Sequence, residues 1–526
     1  MPPRDTFMGT ASKSSSIRVR PRRCRSRLVL RAVATMLASA SMVTASAHAH
    51  GFGQRYDLPV PLWLYLTGAA AAVGVSFVVM AVFIHGQAQP APYPRIDLLR
   101  GRIGRAIAHP VTLQCCRVFA MALFVLVVVA GLAGIQSPTK NIAPIMIWAI
   151  WWVGMAYISA LLGDLWRLLS PLQTAFAWAQ SAYSRIAGGA ILALGLKYPQ
   201  KLAMWPAVVL FFAFAWAELV WERSDVPSDL AVAVLVYCAI TWAGMLLFGR
   251  KTWLDHGETF ALIFGVLARF APTEFRVVNA KPEWNLRPPA VGLLSDEPVH
   301  PSLMALVVLM LATVTFDGLA ETPLWASIAD NFAQWLPAAI ALSSEEVART
   351  LIATIGLAGV WALFMSIYLA CAWSIARTAA AASAERRTPA KREATVTVAC
   401  WFVLTLVPIA IAYHLAYYLS FLVMAGQYLI PLASDPFGFG WDLFGTTRYF
   451  VRIGIVDARF IWYASVIAIV AGHIAAVYLA HTMALRVFRE KRIALKSQYP
   501  MLMLMIGYTM VSLWIIAQPI VMSRFG

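Results

Sequence analysis

The residues of this chain that could do chemistry are few, and each stands in a long apolar run. They are Glu218, Asp317, Glu321, His414, His473 and His481. An ionisable group in hydrocarbon is costly enough that function is its default reading. Asp317 and Glu321 are four apart, so on a helix they share a face one turn apart and could share a cation or a proton. His473 and His481 are eight apart, roughly 80° around a helix and about 12 Å along it, too far for one metal ion. His473 is therefore the better partner for His414 and Asp317. These three offer ligands suited to zinc or another borderline divalent metal, with Asp435, Asp442 or a processed N-terminus as additions. A metal with an open coordination position would make hydroxide near neutral pH, with Glu321 or Asp435 as proton acceptor. The spacing matches no diagnostic pattern such as HExxH. The competing reading is structural: the histidines hydrogen-bond across the bundle and Asp317 pairs with a tyrosine or a basic residue.

A second metal candidate lies near the start. Residues 1–27 carry eight Lys/Arg, an alanine-rich apolar stretch follows, and it ends in Ala45-Ser46-Ala47-His48-Ala49-His50. Small residues before two candidate cleavage points make residues 1–49 read as a signal peptide, the alternative being a retained first membrane helix. Cleavage after Ala47 would expose His48-Ala49-His50, an amine and two imidazoles that chelate copper; cleavage after Ala49 would leave His50 leading.

The elements that must position these groups are membrane spans. Of 526 residues, 60% are hydrophobic and 13% charged, and the mean hydropathy is +0.71. Apolar blocks near 62–84, 113–135, 143–163, 204–221, 229–248, 302–320, 350–376, 396–424, 459–484 and 501–522 approach or exceed the roughly 20 residues that cross a bilayer. Lipid leaves such backbones no alternative to helix. The fold class is thus all-α, a polytopic transmembrane bundle of about ten spans forming one domain, 50–526. The net charge of +17 would suit a nucleic-acid binder, but its positions exclude that reading. With the mature N-terminus outside, 24 Lys/Arg fall in the loops of one side and eight in those of the other, as the positive-inside rule requires. That places the chain in a bacterial inner membrane, with most of the buried ionisable groups in the periplasmic half.

Segments 172–196 and 257–271 are apolar but short or interrupted, and read as interfacial or re-entrant helices. The loop 425–458 is punctuated by Gly and Pro, which forbid a long helix. Six scattered cysteines form no CxxC or disulfide framework. Phosphate-binding glycine loops, a GxSxG elbow and a CxxCH site are absent from the sequence, so nucleotide-driven transport and serine hydrolysis lack support.

Several segments carry a resemblance when taken together. They are His50 to Leu62 (HGFGQRYDLPVPL), Trp151-Trp152-Val153-Gly154 with Gly163-Asp164-Leu165-Trp166-Arg167, Thr315-Phe316-Asp317-Gly318, the Ser434 to Asp442 loop and Ser497-Gln498-Tyr499-Pro500. The chain resembles, over most of its mature length, the bacterial polytopic membrane proteins named fenitrothion hydrolase. The resemblance implies hydrolysis of an uncharged, lipophilic organophosphorus triester to a nitrophenol and a dialkyl phosphorothioate, and supplies no catalytic residues. The competing expectations are a proton- or cation-coupled transporter using Glu218, Asp317 and His473, and a copper-handling membrane protein built on His48 and His50. The expected partners are the lipid bilayer and a small lipophilic substrate, without nucleic acid.

Overall fold

Long apolar runs without charge can satisfy their backbones in lipid only as helices, and the computed structural model of the chain is built from them. It describes residues 48–51, 54–57, 60–83, 93–279, 281–334, 345–385, 395–452, 454–488 and 490–518. The expected signal peptide and the side chains of His48 and His50 lie outside the described residues.

Among the described residues nine helices are long and apolar enough to cross a membrane. Those that bear on the site are α1 (Leu62–Phe83), α3 (Pro110–Ala133), α4 (Gly154–Leu161), α6 (Pro227–Phe248), α8 (Pro301–Ala320), α9 (Glu345–Glu385), α10 (Val407–Ala425), α11 (Ala458–Val487) and α12 (Tyr499–Ile516). Helix α4 continues a wide-turned π-helical stretch, Ile145–Val153, that makes up the first half of its span. The chain is an all-α polytopic membrane bundle. The remaining expected block holds a shorter apolar helix, α5 (Trp205–Leu219), of 15 residues and about 22 Å of rise. It runs from Met204, whose N–H meets Ser302 at the start of α8, to the turn before α6, where Ser228 N meets Gln136 beyond the end of α3. A second short helix, α7 (Thr259–Ala268), occupies the stretch expected to be interfacial or re-entrant.

Helix α8 is the centre of the bundle. Its most apolar window is 83% buried, against 17% in α3 and 11% in α9, which leave most of their surface for lipid. Around it the helices pack through small side chains, which let backbones approach in the absence of a hydrophobic drive between helices. At the α10–α11 contact, a Cβ on Gly472 would collide with Ala412 and meet the Pro408 carbonyl at 2.7 Å. Ser465 on α11 adds a hydrogen bond to the Ala416 carbonyl of α10, at 3.0 Å.

Two small sheets are present that no periodicity had signalled. A hairpin pairs β1 (His48–Gly51) with β2 (Gln54–Asp57). A three-stranded antiparallel sheet has the order β3 (Ile96–Asp97), β5 (Lys281–Leu286), β4 (Thr273–Val278). The chain leaves β3 through a short helix α2 (Arg102–Ile107) into α3, and leaves β5 toward α8. The sheet therefore lies at the end of the bundle where both of those spans begin. Its polar groups are clamped by Arg287, which donates to Glu274 at 2.7 Å and to the carbonyls of Arg269 (3.0 Å), Ala268 and Ala271 (both 3.3 Å). Arg95 reaches Glu274 from the β3 side at 2.5 Å. Burial works to raise the Glu274 carboxyl, but the hydrogen bond from Arg95 and the charges of Arg287 and Arg95 outweigh it and hold the group below the usual glutamate value of 4.5.

Arg287→Ala should cost about 3 kcal/mol, since it strands Glu274 and three carbonyls together, and is read as a lower melting temperature in detergent. A depressed carboxyl contributes stability that is fully present above its unfolded value and lost as pH falls through its folded one. Wild-type stability should therefore decline below about pH 4.5, and Glu274→Gln should flatten that decline.

Candidate functional site

Four consecutive residues of α8 show how the site is assembled. The Thr315 hydroxyl shares a 2.6 Å hydrogen bond with Tyr508 of α12. Phe316 packs edge-on to Trp325, ring centroids 5.1 Å apart. Asp317 accepts a hydrogen bond from the Tyr418 hydroxyl of α10 at 2.5 Å through Oδ2. Gly318 carries no Cβ where one would meet the Tyr413 hydroxyl and the Ile515 methyl, each at 2.7 Å. The run Thr-Phe-Asp-Gly thus positions α8 against α12 and α10.

Helix α10 answers with Tyr413, His414, Tyr417 and Tyr418, two pairs one turn apart. Tyr417 hydrogen-bonds Glu321, and Tyr418 feels the charges of both Asp317 and Glu218. Three carboxylates from α5 and α8 are therefore grouped around two tyrosines. The His414 ring lies 4.6 Å from Tyr418 and 6.0 Å from both Trp152 and Tyr157. A hydrogen bond to the Val153 backbone holds it. Its Nε2 is buried without a protein partner, so the bond to Val153 belongs to Nδ1. A carbonyl can only accept; Nδ1 therefore carries the proton and Nε2 presents a lone pair. Val153 ends the π-helical stretch, a distortion that recurs at functional sites.

His414 lines a narrow crevice between α4, α5, α7, α8 and α10. Its walls are apolar, including Trp152, Phe211, Ile263 and Met310, and its polar groups are Glu218, His414, Tyr418 and Thr313. Its lining thus sets an imidazole, a carboxyl and a phenol among apolar walls. No family model, no curated protein and no solved structure matches this chain.

The sequence-predicted residues divide. The structure brings together Asp317, Glu321, Glu218 and His414. It puts His473 elsewhere: buried on α11, its Nδ1 bonded to the Ile469 carbonyl at 2.8 Å, with its ring 5.9 Å from Tyr508. His481 is tied to Gln498 Oε1 at 2.9 Å. Asp435 is occupied by its own loop, where its two oxygens accept from Phe439 N at 2.9 Å and Gly440 N at 2.6 Å. Among the described residues no group of three or more His, Cys, Asp or Glu side chains is placed to hold a metal ion. The expected set of Asp317, His414 and His473 thus does not converge, because His414 faces Trp152 while His473 faces Tyr508. The remaining expected ligand, His50, has its side chain outside the described residues.

The structural reading of Asp317, a tyrosine as partner, is the one Tyr418 fulfils. Which tyrosines would serve is not legible in the sequence, because they carry no charge and look like ordinary bundle aromatics. The two that bond the acids, Tyr417 and Tyr418, are adjacent on α10. Sequence reasoning passed over Glu258, buried at the start of α7, which accepts from Tyr237 at 2.5 Å, Ala261 N at 2.6 Å and Phe260 N at 3.2 Å. An acid directly before an apolar run is an N-cap signature. By anchoring α7 it fixes the crevice wall that Ile263 and Leu267 supply.

Tyr418→Phe removes a buried donor from Asp317 and should lower stability by about 1–3 kcal/mol. Thermal unfolding in detergent checks it, with Phe421→Leu on the same helix as a control for volume alone.

Proposed function

We propose that this chain is a membrane-embedded hydrolase of uncharged, lipophilic organophosphorus triesters, the activity its resemblance to the fenitrothion hydrolases implies. The observation that carries the reading is His414, a residue of the apolar crevice lining whose buried Nε2 has no hydrogen-bond partner in the protein. A triester with no charge can enter such a crevice from the bilayer without desolvating an ion. In the reaction, water bonds to phosphorus while the bond from phosphorus to the aryl oxygen breaks. The water proton passes to Nε2, and the aryloxide leaves with the bonding electron pair. Tyr418, tilted against the ring at 4.6 Å and fixed by Asp317, holds His414 in the orientation that Val153 sets. The protonated imidazole then returns its proton to solvent or to Glu218, on the same crevice. No step is routed through a metal, because the described ligands do not gather for one. The setting is a bacterial inner membrane with the acidic end of the crevice toward the periplasm, the orientation the loop charges favour.

A proton- or cation-coupled transporter is the competing reading, favoured by the grouping of Glu218, Asp317 and Glu321 around Tyr417 and Tyr418. The two part experimentally. Purified wild type in detergent should release nitrophenol from a nitrophenyl phosphorothioate triester, and His414→Gln should lose about 10²-fold or more of that rate while keeping its melting temperature. Chelation should leave the rate unchanged. Absence of turnover, together with solute flux in liposomes that follows a pH gradient, would replace the hydrolase reading with the transporter; a chelation-sensitive rate would restore the metal.

A further inference from the structure

The three-stranded sheet is amphipathic in the sense opposite to that of a soluble protein. Residues opposite one another in an antiparallel pair share a face. The register pairs Phe275 with Trp284, Val277 with Pro282, and Leu286 with Ile96, so one face is made of these six apolar side chains. Its members Ile96, Phe275, Val277 and Leu286 are 64%, 67%, 63% and 39% exposed. The one polar residue on this face, Thr273, spends its hydroxyl on the Leu162 carbonyl. The other face carries Glu274, Arg276, Val278, Lys281, Glu283, Asn285 and Asp97, with Lys281 exposed at its end. Its middle is turned inward, where Asn285 is buried and Glu274 lies under Arg287 and Arg95.

Two observations say what covers the apolar face. The first is continuity with the lipid belt. From β3 the chain passes through α2, whose Ile103 and Ile107 are exposed, into α3, where exposed Val111, Val118 and Phe119 belong to a span left largely bare for lipid. The second is charge. Arg100, Arg102, Arg105 and Lys281 are exposed around the sheet and α2, and no carboxylate stands on the apolar face itself. Apolar side chains flanked by a cationic rim, next to a span, are what a headgroup layer of anionic lipid accommodates. The hydrogen-bonding edge of β4 limits the depth, because an open strand edge cannot enter hydrocarbon without losing its partners.

We propose that this sheet is a lipid-binding platform that lies flat on the leaflet at its end of the bundle, with Phe275, Val277 and Ile96 inserted at the headgroup boundary among anionic phospholipids. Under the orientation favoured by the loop charges, that leaflet is the cytoplasmic one. The platform braces the loop between α7 and α8, and with it the crevice wall, against the bilayer surface.

The test uses the full chain in nanodiscs of phosphatidylglycerol and phosphatidylcholine. A nitroxide is attached through p-acetylphenylalanine replacing Phe275, and in separate samples Ile96 or Lys281. At positions 275 and 96, relaxation by oxygen, which dissolves in lipid, should exceed relaxation by a water-soluble nickel chelate several-fold; at 281 the order should reverse. The excess at 275 should shrink in discs of phosphatidylcholine alone. Dominant nickel access at 275 and 96 would overturn the proposal by placing the face in water. Protection from both relaxants would overturn it by placing the face under protein, a second copy or another partner. Equal depth in the two lipids would remove the anionic preference and leave apolar insertion alone.

Discussion

Hydrocarbon offers no hydrogen bonds, and the interior of this bundle is organised by that lack. A polar side chain placed in lipid must find its partner on another helix or go without, and going without is expensive. The bond from Tyr418 to Asp317 follows from this constraint. It joins α10 to the central helix α8 at the point where an unaccompanied carboxylate would be least tolerable. Thr315 with Tyr508 does the same between α8 and α12, and Tyr157 with the Leu415 carbonyl, at 2.7 Å, ties the α4 span to α10. Helix packing in lipid has little apolar drive of its own, so these few directed bonds, together with the small residues at Gly318 and Gly472, select one arrangement of similar apolar rods.

The same constraint explains why the crevice has the shape it does. Helices α5 and α7 are shorter than the spans around them, and a short helix places its polar ends inside the bundle. Each end is therefore satisfied locally. Glu258 caps the start of α7, and Thr259 donates to the Ala207 carbonyl of α5 at 2.8 Å. Two half-length elements set beside full-length spans leave room between them, and that room is lined by whatever side chains the spans turn inward. Trp152, Phe211 and His414 border it for this reason.

The spans were legible because a bilayer demands length and apolarity, which composition displays directly. Among the described residues nine of the expected blocks are long helices, and the tenth, residues 204–221, holds a shorter helix of 15 residues. Asp317, Glu321, Glu218 and His414 could be found from the cost of burying them. Their partners could not, since which face of α10 meets α8 is set by Gly318 and Tyr413 interlocking, a contact between residues 95 apart. The misassignment of His473 has the same origin: depth along a helix can be estimated from sequence, but azimuth against neighbours cannot. The sheet was invisible because β3 and β5 lie nearly two hundred residues apart and each reads as loop.

One detail of the buried histidines bears on selectivity. His414, His473 and His481 each bind an oxygen acceptor through Nδ1, which leaves the other nitrogen of each ring able only to receive a hydrogen bond. A phosphorus triester consists entirely of acceptors and has nothing to give such a nitrogen. On the proposed hydrolase reading, His414 would therefore hold on to the water and turn the ester's oxygens away, so that the ring would sort the two reactants by polarity before either has moved. Discrimination among esters would then fall to the apolar walls, which read size and shape, and a change in Trp152 or Phe211 would alter which ester is admitted without touching the group that activates the water.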